Sequence, residues 1–142
     1  MTESLPLRYL TVTDVIALHE AIMERMGQPP AALRDEGLLE SAVRRPLTAS
    51  YYTGADLIRQ AVVLAVGISQ SQAFVDGNKR TAFAAFDTFL LLNGVVTEID
   101  SLELARQIEL VAERQDSVES ATDRFEIWLR QRLGPEIPSA ID

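Results

Sequence analysis

The chain has no cysteine, which excludes disulfide scaffolds, Cys-based zinc sites and thiol nucleophiles. Positive charge is scarce: 13 basic residues stand against 21 acidic ones, a net charge of −8. Non-specific binding to nucleic acid or to an anionic membrane needs clustered cations. Neither partner is therefore expected, and a DNA-binding helical regulator with a basic face is disfavoured. Long apolar runs are also missing. Ala61 to Ile68 and Thr81 to Leu92 are the most apolar stretches; both fall short of the ~20 residues a membrane span needs, and Asp87 interrupts the second. Met1 to Leu10 lacks the basic-then-apolar pattern of a secretory signal, so a soluble, cytoplasmic protein is expected. No internal repeat or low-complexity segment is present.

Two further scarcities concern position. Twelve of the 13 basic residues are arginine, and Lys79 is the single lysine; His19 is the single histidine. Where each falls becomes a question in its own right.

The remaining composition is that of an ordinary globular domain, 47% apolar and 24% charged over 142 residues. That length suits one core, here assigned to residues 1–135 with 136–142 as a flexible tail. Thr11 and Asp14 form a capping-box pattern ahead of a helical stripe of Val15, Ile16, His19, Ile22, Met23 and Met26 that ends at Gly27. A short helix is expected over Asp35 to Arg45, stopping at Pro46. Leu47 to Gly54, with Tyr51 and Tyr52, is expected as a surface loop or irregular hairpin. Asp56 to about Ser69 and Asn78 to Leu92 are apolar nearly all round, which places them in the middle of a bundle; Asn93-Gly94 ends the second. Val95 to Ile99 reads as a short strand that pairs, if with anything, with Arg8 to Leu10. Asp100-x-x-Glu103 caps a helix to about Gln115, and Asp116-x-x-Glu119 opens another that ends at Gly134-Pro135. The fold class is all-α: a compact bundle of about six helices, two of them central and buried, with one short β pairing at most.

Polar residues concentrate between the two central helices, in Ser69-Gln70-Ser71-Gln72-Ala73-Phe74-Val75-Asp76-Gly77-Asn78-Lys79-Arg80. The run from Asp76 to Arg80 combines a helix N-terminus, a glycine permitting close approach and two cations. That is the chemistry of an anion site, and phosphate uses all of it. Asp76 adds a hard oxygen ligand for Mg²⁺, which takes one or two carboxylates plus phosphate oxygens. The plainer alternative makes Asp76 an N-cap and Lys79 and Arg80 solvated charge. It has to place two cations in a first helical turn, against the macrodipole.

Gln72-Ala73-Phe74-Val75-Asp76-Gly77-Asn78-Lys79-Arg80 resembles the signature of the Fic/Doc (Fido) family, His-x-Phe-x-(Asp/Glu)-x-Asn-(Gly/Lys)-Arg. Lysine at position 79 resembles the Doc, or death-on-curing, branch. The likeness extends over roughly Tyr9 to Leu133, through Leu18-His19-Glu20, Gly37-Leu38-Leu39-Glu40-Ser41-Ala42 and Asn93-Gly94. It implies the Fido bundle and a toxin of a type II toxin–antitoxin pair. Such a toxin transfers phosphate from ATP to a hydroxyl of elongation factor Tu and is restrained by a cognate, Phd-like antitoxin. Fic relatives transfer AMP instead. Carried over by position, Asp76 would hold Mg²⁺. Gly77, Asn78, Lys79 and Arg80 would bind the nucleotide phosphates and neutralise developing charge. Phe74 would anchor the loop in the core, and the segment around Tyr51 and Tyr52 would be the flap that aligns the target.

The departure is Gln72, which stands where the family has its general-base histidine. A carboxamide cannot accept the hydroxyl proton, and loss of a positioned base costs ~10²–10⁴-fold in rate. His19, on an apolar stripe, reads as a hydrogen-bonded structural residue and not as a replacement. Gln72 is read here as a natural change that slows the enzyme. The rival accounts are an introduced substitution and a loose transition state that asks little of a base. The functional alternatives are a catalytically dead homologue that binds nucleotide or antitoxin, and a Fic-type adenylyl transferase.

Overall fold

The computed structural model describes residues 6–30, 32–113 and 117–133. Six helices account for most of them: α1 (Val12–Arg25), α2 (Glu36–Thr53), α3 (Leu57–Ser71), α4 (Asn78–Leu92), α5 (Ser101–Ala112) and α6 (Val118–Leu133). Twelve of the fifteen residues of α3 are buried, and α3 packs on α2, α4, α5 and α6. A helix with no polar face needs neighbours on every side, and α3 has them. Its partner α4 buries Thr81, Ala82, Ala85, Phe86, Phe89 and Leu90 between α3, α1 and α5. The two central helices of the sequence reading are these, and the architecture is all-α.

The helix starts follow from capping chemistry. Thr11 and Asp14 form the reciprocal capping box of α1, Asp35 accepts from Leu38 N–H at the head of α2, and Asp56 accepts from Arg59 N–H at the head of α3. Asp100 caps α5 through Leu102 N–H, and that helix ends at Ala112. At α6 the cap within the described residues is Ser117, whose hydroxyl accepts from Ser120 N–H. Gln115, Asp116, Gly134, Pro135 and the expected tail lie outside the described residues.

Two expectations are corrected. The helix over Asp35 to Arg45 does not stop at Pro46: α2 runs to Thr53 with Pro46 inside it, and Tyr51 and Tyr52 sit on its last turn. An interior proline costs about 3 kcal/mol, but Pro46 is buried in the helix face that packs on α3, and this tertiary contact overrides the local signal. Gly54, at φ 66° and ψ 26°, ends the helix instead with a left-handed cap that donates to Ser50.

The strand pairing of Val95 to Ile99 with Arg8 to Leu10 does not form either. The carboxamide of Asn93 meets the backbone of Arg8 from both sides, accepting from its N–H at 2.8 Å and donating to its carbonyl at 2.9 Å. A side chain thus satisfies the groups a strand would have used. Among the described residues the one β contact is an isolated antiparallel bridge, Leu33 to Phe74.

Charged residues fasten the head of α3 to α6. Arg59 pairs with Asp123 and Glu126, and Arg130 with Asp56 and Glu126, at 2.7–2.9 Å. Burial pushes the Asp56 carboxyl up, but the Arg59 N–H and the Arg130 guanidinium outweigh it and hold the group below its ordinary value. Its contribution is therefore full above the unfolded value of ~3.9 and is lost as pH falls through the lower folded value. Asparagine caps a helix as well as aspartate but cannot pair with Arg130. The melting temperatures of the wild type and Asp56→Asn should therefore differ at pH 6 and draw together as pH falls below the unfolded value of ~3.9 and through the lower folded one; a constant gap would show that Asp56 acts without its charge.

Candidate functional site

The chain leaves α3 through Gln72, at φ 53° and ψ 40° the one non-glycine described residue with positive φ. This left-handed turn breaks the helix and starts the loop Ala73–Gly77, after which α4 begins at Asn78. The loop is held from three directions. From below, Phe74 is 1% exposed and stacks on His19 of α1, ring centroids 3.8 Å apart and planes within 10°. From α4, Asn78 accepts from Phe74 N–H at 3.0 Å and donates to its carbonyl at 2.8 Å. From the side, Arg34 and Asp35 N–H donate to Ala73 O, and Val75 N–H donates to Ala32 O.

Gly77 needs its lack of a side chain. Its φ is 84°, and a Cβ there would lie 3.2 Å from Met23 Sδ and 3.4 Å from the His19 ring. Gly77 also occupies the N-cap position of α4, where no side chain caps the helix. The reading of Asp76 as merely an N-cap is thereby removed: its Oδ1 accepts from Gly77 N–H at 2.8 Å, not from α4. The first intrahelical bond is Thr81 N–H to Gly77 O, so the amides of Asn78, Lys79 and Arg80 are left at an open helix end with the positive side of its dipole.

A cleft of about 550 Å³ opens over this end, lined by Gln72, Asp76, Gly77, Asn78, Lys79 and Arg80, with Met26, Ser69 and Val75 around them, Glu109 and Ala112 from α5, and Glu113 just past its end. The six site residues named from the sequence thus share one cavity. Lys79 and Arg80 are exposed, and neither makes an ion pair with a described residue. Asn78 differs from its expected role in one respect: both polar atoms of its side chain are engaged by Phe74. The acidic residues from α5 carry no local sequence signal, because they reach the cleft only through the packing of α5 on α4 and α3.

Tyr51 and Tyr52 are far from this cleft. They end α2, beside the start of α3, whereas Gln72 follows its last residue. Fifteen helical residues separate those ends, ~22 Å at 1.5 Å each. The segment that lies along the motif is Ala32–Asp35, and the flap expectation for the tyrosines is corrected accordingly. His19 meets its expectation as a buried, hydrogen-bonded residue, 1% exposed. Its partner, Asp76 O at 2.9 Å, belongs to the motif.

The donor set fits Mg²⁺ bound together with a phosphate chain. Among the described residues no group of three acidic or histidine side chains could hold an ion alone. Asp76 Oδ2 has no protein donor among them, and Mg²⁺ usually keeps one or two carboxylates with phosphate and water.

Residues 9–90 match the model of the Fic/DOC family. The chain is 33% identical over 118 residues to a protein named Protein kinase doc from Escherichia phage P1, covering 82% of this chain and 92% of that one. It is 46% identical over 70 residues to a protein named Toxin Doc from Mycolicibacterium smegmatis, covering 48% of this chain and 54% of that one.

Proposed function

As the chain belongs to the Fic/DOC family, we propose that it is a Doc-like toxin that binds ATP with Mg²⁺ and transfers phosphate to a hydroxyl of a translation factor, elongation factor Tu, slowed by Gln72. The observation that carries this reading is the presence of two cations, Lys79 and Arg80, that pair with no described residue, at the uncapped start of α4 in the same cleft as Gln72 and Asp76. The lysine and arginine would neutralise charge on the phosphoryl oxygens. The backbone N–H groups of Asn78 to Arg80 would hold the phosphate chain, and the side chain of Asn78 would keep the loop in shape beneath it. Asp76 would hold Mg²⁺, which supplies charge neutralisation on the phosphates.

In the transfer, the target oxygen bonds to the γ-phosphorus as the bond to the bridging oxygen breaks and ADP leaves. The carboxamide of Gln72 can orient the hydroxyl by accepting its hydrogen bond but cannot take the proton, which passes to solvent. The same residue favours a second reading, a catalytically dead homologue that binds nucleotide and antitoxin. A cognate Phd-like antitoxin is the proposed partner. An apolar groove of about 890 Å³ between α1, α4 and α5, with Leu18, Ile22 and Phe83 in its wall, shares Met26, Lys79, Arg80 and Glu109 with the cleft. An antitoxin segment seated there would reach the cations.

Incubation with Mg²⁺, elongation factor Tu and ATP labelled at the α- or γ-phosphate tests the proposal. Transfer of γ-label supports it, transfer of α-label replaces it with adenylylation, and binding without either transfer supports the dead homologue. Lys79→Ala should weaken ATP binding at least about tenfold, as expected for loss of a charge-assisted hydrogen bond; unchanged affinity would remove Lys79 from the site.

A further inference from the structure

We infer that His19 is a positioning residue for the carboxylate of Asp76, acting through the peptide between Asp76 and Gly77; the inference rests on the reading of the cleft as an ATP–Mg²⁺ site. A carbonyl oxygen can only accept, so the 2.9 Å contact of His19 Nε2 with Asp76 O requires the ring proton on Nε2. In a trans peptide the carbonyl and the following N–H point in opposite directions. With its carbonyl end fixed toward α1, the peptide directs Gly77 N–H away from His19, where it donates to Asp76 Oδ1 at 2.8 Å. One end of a single peptide unit is gripped by the histidine, and the other end grips the carboxylate.

The grip is rigid at the histidine. The ring is 1% exposed, lies flat against Phe74 and shares the wall beneath Gly77 with Met23. The carboxylate, in contrast, belongs to an exposed residue of a short loop, and Gly77 N–H is its one donor among the described residues. Glycine on the far side of the peptide permits it to turn over at little steric cost. The His19 donor opposes that turn. Without it, Gly77 N–H no longer stays aimed at Oδ1, and the carboxylate loses its fixed orientation while the core remains packed.

Two substitutions separate the donor from the ring. His19→Gln places an amide N–H near the position of Nε2 but gives up the stack; His19→Phe keeps a ring on Phe74 but has no donor. Circular dichroism and thermal melting establish that each is folded. Amide hydrogen exchange at Gly77 reads the positioning directly and needs no ligand. Calorimetric titration of ATP with Mg²⁺ into the protein reads its consequence.

The expected result is that Gly77 exchanges faster in His19→Phe and that its affinity for ATP with Mg²⁺ falls roughly tenfold. His19→Gln should stay close to wild type in both. Equal Gly77 exchange in wild type and His19→Phe overturns the inference. So does a His19→Gln variant as impaired as His19→Phe, since a donor at this place would then not be what holds the loop. A wild-type chain that binds no ATP with Mg²⁺ overturns the underlying ATP reading and this inference's metal consequence with it, while Gly77 exchange still decides whether His19 fixes the loop. With one histidine in the chain, its ring nitrogen signals also report unambiguously whether Nε2 carries the proton.

Discussion

Replacing Gln72 by histidine should raise the rate of phosphate transfer about 10²–10⁴-fold, the usual contribution of a positioned general base, with little change in ATP affinity. Position 72 can accept the exchange. It is exposed, it lines the cleft, and its left-handed backbone conformation is one in which histidine is enriched among non-glycine residues. The change therefore adds a proton acceptor without disturbing a packed contact. Its signature is a pH profile: the rate of Gln72→His should rise with pH through an imidazole value near ~6.5, whereas the wild type should lack that limb. Single-turnover kinetics with γ-labelled ATP measure both. Equal rates for the two proteins across pH would show that transfer in this cleft does not depend on a base at position 72.

The largest effect on stability is expected at Phe74. Its ring is fully buried, stacked on His19, and fixed at its backbone by both polar atoms of Asn78. Truncating a buried phenylalanine to alanine costs about 3–5 kcal/mol, a large part of the 5–15 kcal/mol typical of a domain. Phe74→Ala should therefore shift the midpoint of urea unfolding strongly, and Phe74→Leu, which keeps most of the volume, should shift it much less. Because the same ring supports the histidine that holds Asp76 O, Phe74→Ala should also weaken nucleotide binding under conditions where the protein is still folded. A midpoint close to that of the wild type would show that the loop is held by Asn78 and the Ala32–Asp35 segment alone.

What could be read from the sequence follows the range of the interactions involved. Caps act within four residues, so Thr11, Asp35, Asp56 and Asp100 announce their helices. The unbroken apolar stretches of α3 and α4 announce that both are central. The motif is legible because its chemistry is contiguous: Gln72, Asp76, Gly77, Asn78, Lys79 and Arg80 lie in one loop and one helical turn. Long-range packing decides the remainder. Pro46 sends a strong local stop signal, but its burial against α3 lets the helix continue. Val95 to Ile99 reads locally as a strand, but Asn93 has already taken up the backbone of Arg8. Glu109 and Glu113 enter the cleft from a helix more than 25 residues further along the chain. His19 is the instructive case. Its apolar stripe correctly indicates burial, but nothing in the surrounding residues indicates that its one polar contact is with Asp76. The single lysine and the single histidine of the chain thus flank the same loop, Lys79 on the helix that follows it and His19 beneath it.

The central claim is that the phosphate-holding part of this cleft is intact although its proton acceptor is missing. Calorimetric titration of the wild-type chain with ATP, ADP and adenosine, each with and without Mg²⁺, tests it most directly. The account predicts saturable one-to-one binding of ATP that requires Mg²⁺, weakens from ATP to ADP and vanishes for adenosine, because the recognition lies in Asp76, Lys79, Arg80 and the amides of the open helix end. Binding of adenosine as tightly as ATP, or no saturable binding of ATP in the presence of Mg²⁺, would contradict it.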